Sequence, residues 1–327
     1  MKKDFFVGAD VSKDKVDFCF LTSDESKKPK FISLPNDYNV IEAYFKSFTS
    51  DNITVVLEYT NNYHIILQRV LNDLGIKYSL LNPEKTSYFL KHLNSKKTDI
   101  ADSYGLALYC RIFSSELNPT TYNKEYNLIK SYNSAISLLV KIQTQLKNFK
   151  KSQNLVSDNQ LNEIITTLTN QVMQLQKKLK LMAYEILKSF VPNCDEIIKA
   201  NKGFGVDLAI SLFPNLHFNR DKTAKQFISF LGLSPRIYES GISVKKSKCI
   251  NKKGSSSIRR VLFLVAIVSI RFNDKFKQKY ETLINKGKSK KVAIVAVMCA
   301  IVRYLKSLFP FDECFINGKS INKLGAN

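Results

Sequence analysis

Four carboxylates stand out in this 327-residue chain by type and position: Asp10, Glu58, Asp99 and Asp102. Asp10 interrupts the apolar run Val7-Gly8-Ala9-Asp10-Val11, where a charged residue is a poor strand former and asks for a reason. Glu58 closes the buried-strand pattern Ile53-Thr54-Val55-Val56-Leu57. Asp99 and Asp102 are three apart in a segment with helical apolar spacing (Ile100, Tyr104, Ala107, Leu108), so both project from one helix face. Like charges held that close repel, and either a cation between them or solvent around them relieves the repulsion. Hard cations such as Mg²⁺ or Mn²⁺ take carboxylate oxygens. Two such ions about 3.5–4 Å apart stabilise the entering and leaving oxygens of an in-line phosphoryl displacement. Each acid also has an ordinary reading: a hairpin-turn acid, a solvated strand end, a helix cap, a first turn favoured by the helix dipole. Their joint placement favours the metal-site reading.

The elements that must position them follow from hydrophobic patterning. Residues 5–11 and 16–21 read as strands joined by the turn Ser12-Lys13-Asp14-Lys15, with a third strand at 30–34. A helix is predicted over 38–48, a buried strand over 53–57, a helix over 63–74 closed by Gly75, and a strand over 76–81 ended by Asn82-Pro83. The helix opening at Thr98 or Asp99 follows directly, to about Phe113. Three antiparallel strands and then α/β crossovers make the ribonuclease H-like order. It puts Asp10 on the first strand, Glu58 at the tip of the fourth, and Asp99 and Asp102 on a later helix.

Charge divides the chain. Lys and Arg number 50 and Asp and Glu 28, a formal net charge of +22, which suits a polyanion and makes nucleic acid the expected partner. Residues 1–120 hold 15 basic and 15 acidic side chains, so the whole excess belongs to 121–327. Within 236–306 there are 18 basic residues against 3 acidic. The 42 Lys and 8 Arg suit phosphate-backbone contact better than base reading, which more often uses Arg forks. The six Cys (Cys19, Cys110, Cys194, Cys249, Cys299, Cys314) form no C-x-x-C pair, and only three His are present, which disfavours a zinc site. Free thiols and an acid-interrupted N-terminus point to the cytoplasm, and the longest apolar runs, 261–270 and 292–302, fall short of the ~20 residues a membrane helix needs.

Asn118-Pro119 closes the first expected domain, 1–120. Leu128, Tyr132, Ala135, Leu139, Ile142, Leu146 and Phe149, then Leu161, Ile165, Leu168, Val172, Leu175, Leu179, Met182 and Ile186, repeat in heptads. This predicts an α-helical coiled coil over 121–191. It reads as one self-burying antiparallel hairpin, as a dimerisation arm, or as both at once, and the sequence does not choose. The third expected domain, 192–327, is mainly α-helical and basic. Asn201-Lys202-Gly203-Phe204-Gly205-Val206 resembles a helix-hairpin-helix turn able to hold a phosphate, or is a glycine-rich turn with no ligand. A helix over 223–231 ends at Gly232, and the Lys-, Ser- and Gly-rich stretch to Ser257 reads as an extended loop or hairpin. Core helices are expected over 258–272 and 292–308. Arg236, Lys245, Lys246, Lys248, Lys252, Lys253, Arg259, Arg260, Lys288, Lys290 and Lys291 are the candidate nucleic-acid contacts.

Val7-Gly8-Ala9-Asp10-Val11-Ser12-Lys13, Glu58, Lys97-Thr98-Asp99-Ile100-Ala101-Asp102 and Gly232-Leu233-Ser234-Pro235-Arg236…Glu239-Ser240-Gly241 together resemble the insertion sequence 110 family of transposases. That family includes Piv-type DNA invertases and bridge-RNA-guided recombinases. Lys252-Lys253-Gly254…Ile258-Arg259-Arg260 and Gly287-Lys288…Val292-Ala293 are similar to its C-terminal pattern. The resemblance runs nearly end to end and implies a RuvC-like DEDD domain, a coiled coil and a transposase domain. It implies a Mg²⁺ (or Mn²⁺) tetrad of Asp10, Glu58, Asp99 and Asp102, and a nucleophilic Ser240. The residues alone do not distinguish Ser240 from Ser234, Ser243, Ser247 or Ser255–Ser257. Ser103 follows the last Asp where the family generally has Ala.

The expected function is strand cutting and exchange on DNA by a homo-oligomer (dimer or tetramer), with element ends and target as substrates and a structured non-coding RNA as guide. Two other readings stand: a RuvC-like junction nuclease that uses water, and a non-catalytic nucleic-acid-binding protein. The setting expected for any of them is the prokaryotic cytoplasm, at the nucleoid, without a membrane partner.

Overall fold

The computed structural model describes residues 4–48, 52–60, 62–93, 98–153, 159–240 and 244–308, with backbone alone at 84–85, 237–240 and 244–248. The chain divides into two compact units, residues 1–123 and 124–327.

The first unit begins with β1 (Phe5–Val11), β2 (Lys15–Thr22) and β3 (Lys30–Pro35), a run of antiparallel strands. Then come α1 (Tyr38–Phe45), β4 (Ile53–Glu58), α2 (Ile65–Asp73) and β5 (Lys77–Leu81), with β4 parallel to β1 and β5 parallel to β4. The sheet order is β3-β2-β1-β4-β5, a mixed sheet of the ribonuclease H-like order. Asn82-Pro83 does not lead straight to the acidic helix. A further helix, α3 (Pro83–Leu93), intervenes before α4 (Asp99–Ile112). Pro83 sits at its first position, where a missing N–H costs nothing, so the residue expected to break structure begins a helix instead.

The pleat sorts side chains onto two faces. Val7, Ala9 and Val11 of β1, Val16, Phe18 and Phe20 of β2, and Val55 and Leu57 of β4 face one way, against Ile41 and Phe45 of α1 and Leu67, Val70 and Leu71 of α2. Phe6, Cys19, Leu21 and Val56 face the other way, against Leu106, Ala107 and Cys110 of α4.

The second unit opens with two long helices, α5 (Lys124–Gln153) and α6 (Asn159–Phe190). Lys150 donates to Thr166 and Gln176 to Gln143, so the two run antiparallel as a hairpin. Part of the heptad stripe stays open: Leu168, Leu175 and Met182, seven residues apart, are 44%, 52% and 43% exposed. The base of the hairpin (Ile129, Ile136, Ala183, Leu187) shares one core with α7 (Cys194–Ala200), α8 (Val206–His217) and α9 (Ala224–Phe230). A hairpin follows, β6 (Pro235–Ser240) and β7 (Val244–Ile250), and then α10 (Ser256–Phe272), α11 (Asp274–Asn285) and α12 (Lys290–Ser307). Leu262 and Ala266 of α10 and Val297 and Ile301 of α12 belong to the same core, whereas α11 was not anticipated by the patterning. Among the described residues no helix is long and apolar enough to cross a membrane.

Candidate active site

Strand register brings the acids together. Ala9 of β1 pairs with Leu57 of the parallel β4, so Asp10 and Glu58 are the next residues along two adjacent strands. Both belong to the α4 face, because Ala9 and Leu57 point into the opposite core. Across the antiparallel pair, Asp10 lies directly opposite Asp17 of β2, which by the same alternation also faces α4. Asp99 and Asp102 are in the first turn of α4, whose N-cap Thr98 accepts a hydrogen bond from the Ala101 N–H at 3.2 Å. Asp10 is half-buried beneath that turn.

A glycine sets how closely α4 lies on the sheet. A Cβ at Gly8 would collide with the backbone of Ser103 and Ala107. Helix and strand therefore touch backbone to backbone, two residues from Asp10 and one residue past Asp102. Ser103, the departure from the family pattern, is buried, and its hydroxyl donates to the Ile100 carbonyl at 3.1 Å. It sits within α4 without disturbing the neighbouring acid.

The electrostatics reflect that crowding. Burial, then the charges of Asp102, Asp99, Asp17 and Glu58, push the Asp10 carboxyl up to about 6. Asp99 is held below the usual carboxylate range by Lys15, whose ammonium donates to it at 2.8 Å. Lys15 also pairs with Asp17 at 2.9 Å. Glu58 accepts a hydrogen bond from the buried hydroxyl of Thr86 on α3. Among the described residues no three Asp, Glu, His or Cys side chains form a ready cage for one ion. The donor set nonetheless fits a hard divalent cation. It is all carboxylate oxygen, it is gathered on one sheet face, and its members raise one another's charge cost in a way that a cation would reverse.

The sequence signal for Lys15, Asp17 and Thr86 was weak. Lys15 reads as a turn residue, and Asp17, close to Asp14 and the turn, has the pattern of one more hairpin acid. The single clue was the two-residue alternation once Asp10 is paired across the hairpin. Thr86 falls on the helix that the patterning missed.

The basic candidates gather in the second unit. Gly232 has a φ of +73°, which an L side chain rarely adopts, and it ends α9 and opens the β6–β7 hairpin. Arg259 is committed locally. Its guanidinium donates to the Gly254 carbonyl at 2.5 Å and to the Leu231 carbonyl at 3.2 Å, tying α10 to the root of the hairpin. Arg236 is exposed on β6, Lys252 and Lys253 on the following loop, and Arg260 at the start of α10. Lys288, Lys290 and Lys291 are exposed at the start of α12. Neither α10 nor α12 has an acid in its first turn. Cations at a helix N-terminus oppose the dipole, so these two ends favour an incoming anion. Ser240 ends β6 and pairs with Val244 of β7, and Lys245, Lys246 and Lys248 lie along β7 opposite Glu239, Tyr238 and Arg236. The side chains of Ser240 and of these β7 lysines, and all of Lys97, Gly241 and Ser243, lie outside the described residues. At the helix-hairpin-helix-like turn, Gly203 has a φ of +98° and packs against Ser269 of α10, and Gly205 precedes α8.

Comparison with known proteins agrees over most of the chain. Residues 195–281 match the family described as "Transposase IS116/IS110/IS902 family". Residues 7–153 match the DEDD transposase model of the IS110 group. The chain is also similar to the pilin gene-inverting protein of Moraxella lacunata, 24% identical over 335 residues that cover 94% of this chain and 98% of the relative. The pilin gene-inverting protein of Moraxella bovis is 24% identical over 327 residues, with the same shares covered.

Proposed function

The chain belongs to the insertion sequence 110 family of transposases, and from that premise we propose that it is a DNA recombinase that cuts and exchanges strands through Ser240. The Moraxella relatives are named for inverting a pilin gene, and strand exchange on DNA is the activity that such a rearrangement shares with transposition. The observation that carries the reading is the register of Ala9 with Leu57, which sets Asp10 beside Glu58 on the α4 face.

In this reading Asp10, Glu58, Asp99 and Asp102 hold Mg²⁺ (or Mn²⁺). When bound, the ion polarises the scissile phosphate and stabilises charge on its oxygens. The remaining steps belong to the chain. The Ser240 hydroxyl attacks phosphorus and gives up its proton. The strand's bridging oxygen leaves with the electron pair and takes up a proton in turn, and a phosphoserine–DNA link forms. A free hydroxyl from another strand then attacks that phosphorus and returns Ser240, so DNA is exchanged rather than hydrolysed. Arg236, Lys245, Lys246, Lys248, Lys252, Lys253, Arg260, Lys288, Lys290 and Lys291 hold phosphates. Arg259 does so from its tether at the hairpin root. The excess of Lys over Arg fits a protein that delegates sequence choice to base pairing with a structured guide RNA.

The heptad helices of 121–191 act as a dimerisation region between the RuvC-like and transposase regions. The open stripe of Leu168, Leu175 and Met182 is the apolar surface that a second copy covers, so that one protomer's serine meets its partner's acids.

The test is adduct formation. With suicide DNA carrying the element end and Mg²⁺, Ser240→Ala should lose the covalent protein–DNA species while binding DNA within twofold of wild type. Asp102→Ala should lose both adduct and exchange. Undiminished adduct in the Ser240 variant rules out that nucleophile. Hydrolysed product without any adduct favours a water-using junction nuclease.

A further inference from the structure

One charged side chain on the acidic face has no part in the chemistry above. Lys15 is the first residue of β2 and shares its pleat face with Asp17, two residues on. Its ammonium is 2.8 Å from Asp99 Oδ2 and 2.9 Å from Asp17 Oδ2, so a single cation joins the strand pair to the first turn of α4. Asp17 is the cross-strand partner of Asp10 and its side chain is only 15% exposed. Five carboxylates thus crowd one face, and Lys15 is a cation set among them.

An ammonium and a divalent metal ion seek the same oxygens. We infer that Lys15 is a built-in counter-ion of the acid cluster, bridging Asp17 and Asp99 and competing with a divalent cation for the Asp99 carboxylate. It thereby sets the ion concentration at which the site fills. The inference rests on the metal reading of the tetrad proposed above.

The stem permits the exchange. The Lys15 side chain is 47% exposed, and four flexible carbons let the ammonium withdraw into water while β2 stays paired. Asp17, outside the four-acid motif, keeps the lysine close once Asp99 turns to the metal. Part-exposed ion pairs are individually weak, so the competition is modest, a roughly 3- to 5-fold weakening of metal binding.

The experiment is calorimetric titration of the full chain with Mn²⁺ alone. Lys15→Met should bind Mn²⁺ roughly 3- to 5-fold more tightly than wild type. Lys15→Arg, which keeps the charge, and Lys13→Met, which removes a neighbouring charge, should stay within twofold. Lys15→Gln serves in place of the Met variant if that does not fold. Binding by Lys15→Met that is equal to or weaker than wild type overturns the inference, as does equal tightening in Lys13→Met. Asp10→Asn separates this from the metal reading itself. If that variant loses Mn²⁺ binding while Lys15→Met is unchanged, the counter-ion role alone falls. If Asp10→Asn binds as tightly as wild type, the metal reading falls and takes the counter-ion with it.

Discussion

The two compact units handle charge in opposite ways. Residues 1–123 carry 15 basic and 15 acidic side chains, and five of the acids crowd onto one face of one sheet. Residues 124–327 carry the entire +22 and spread it over the long helices as well as the β6–β7 hairpin, the loop after it and the starts of α10 and α12. A convergent site depends on register to the residue, because a one-residue slip turns every side chain to the other face. A dispersed cationic surface depends on count, since each phosphate contact adds a similar small share. Single substitutions should therefore cost much in the first unit and little in the second.

The largest expected effect is at Gly8. Gly8→Ala puts a methyl group into the backbone of Ser103 and Ala107, and α4 must lift off the sheet. Stability should fall by about 3 kcal/mol or more, read by chemical denaturation, with Mn²⁺ affinity falling too because Asp99 and Asp102 move with the helix. A variant as stable as wild type would break the claim that this contact sets the site.

Asp10→Asn sharpens the comparison in the other direction, because it should stabilise. The native carboxyl titrates near 6 against an ordinary 3.8, so the native state holds the proton more tightly than the unfolded chain between those values. Stability from this group is therefore present below about pH 4 and lost as pH rises through 6. In EDTA, Asn should add about 1–2 kcal/mol at pH 7.5, after allowing for solvent screening, and nothing near pH 3.5. Melting curves at the two pH values decide it.

Thr86→Val comes next. It removes the hydroxyl that Glu58 accepts from while keeping the shape of the side chain. A loss of about 1 kcal/mol in stability is expected, with weaker Mn²⁺ binding because Glu58 is no longer held. An unchanged affinity would show that Glu58 needs no such support. The smallest effect belongs to the second unit. Lys290→Gln should weaken DNA binding less than tenfold at moderate salt, and lower the salt slope by about 0.9. A loss as large as that expected at Gly8 would erase the contrast between the units.

Much of the first unit was legible because its central strands are covered on both faces and read as short, nearly continuous apolar runs. Predicted bounds such as 5–11 for β1 and a start of α4 at Thr98 or Asp99 agree with the structure, in which Thr98 is the N-cap and Asp99 the first helical residue. The helix α3 was not legible. Pro83 looks like a stop, yet a proline at a helix's first position is also a start, and local sequence does not separate the two. The heptads were legible as helices but not as an interface. The stripe divides, with Ile165 buried in the hairpin while Leu168, Leu175 and Met182 remain open. Which part faces inward depends on helices far along the chain.

By itself the sequence determined the composition-level division into a neutral and a basic half, the strand and helix periods, and the presence of four acids at element ends. These are properties of nearest neighbours and of side-chain chemistry. Tertiary structure alone decided that Asp17 stands opposite Asp10, that Lys15 reaches Asp99 across 84 residues, that Thr86 holds Glu58, and that Arg259 serves backbone carbonyls at a hairpin root. The Lys15–Asp99 and Thr86–Glu58 contacts join elements whose separation in sequence says nothing of their distance in space. Lys15 reaches Asp99 because pleat alternation and Gly8 bring α4 down onto one particular face of the sheet.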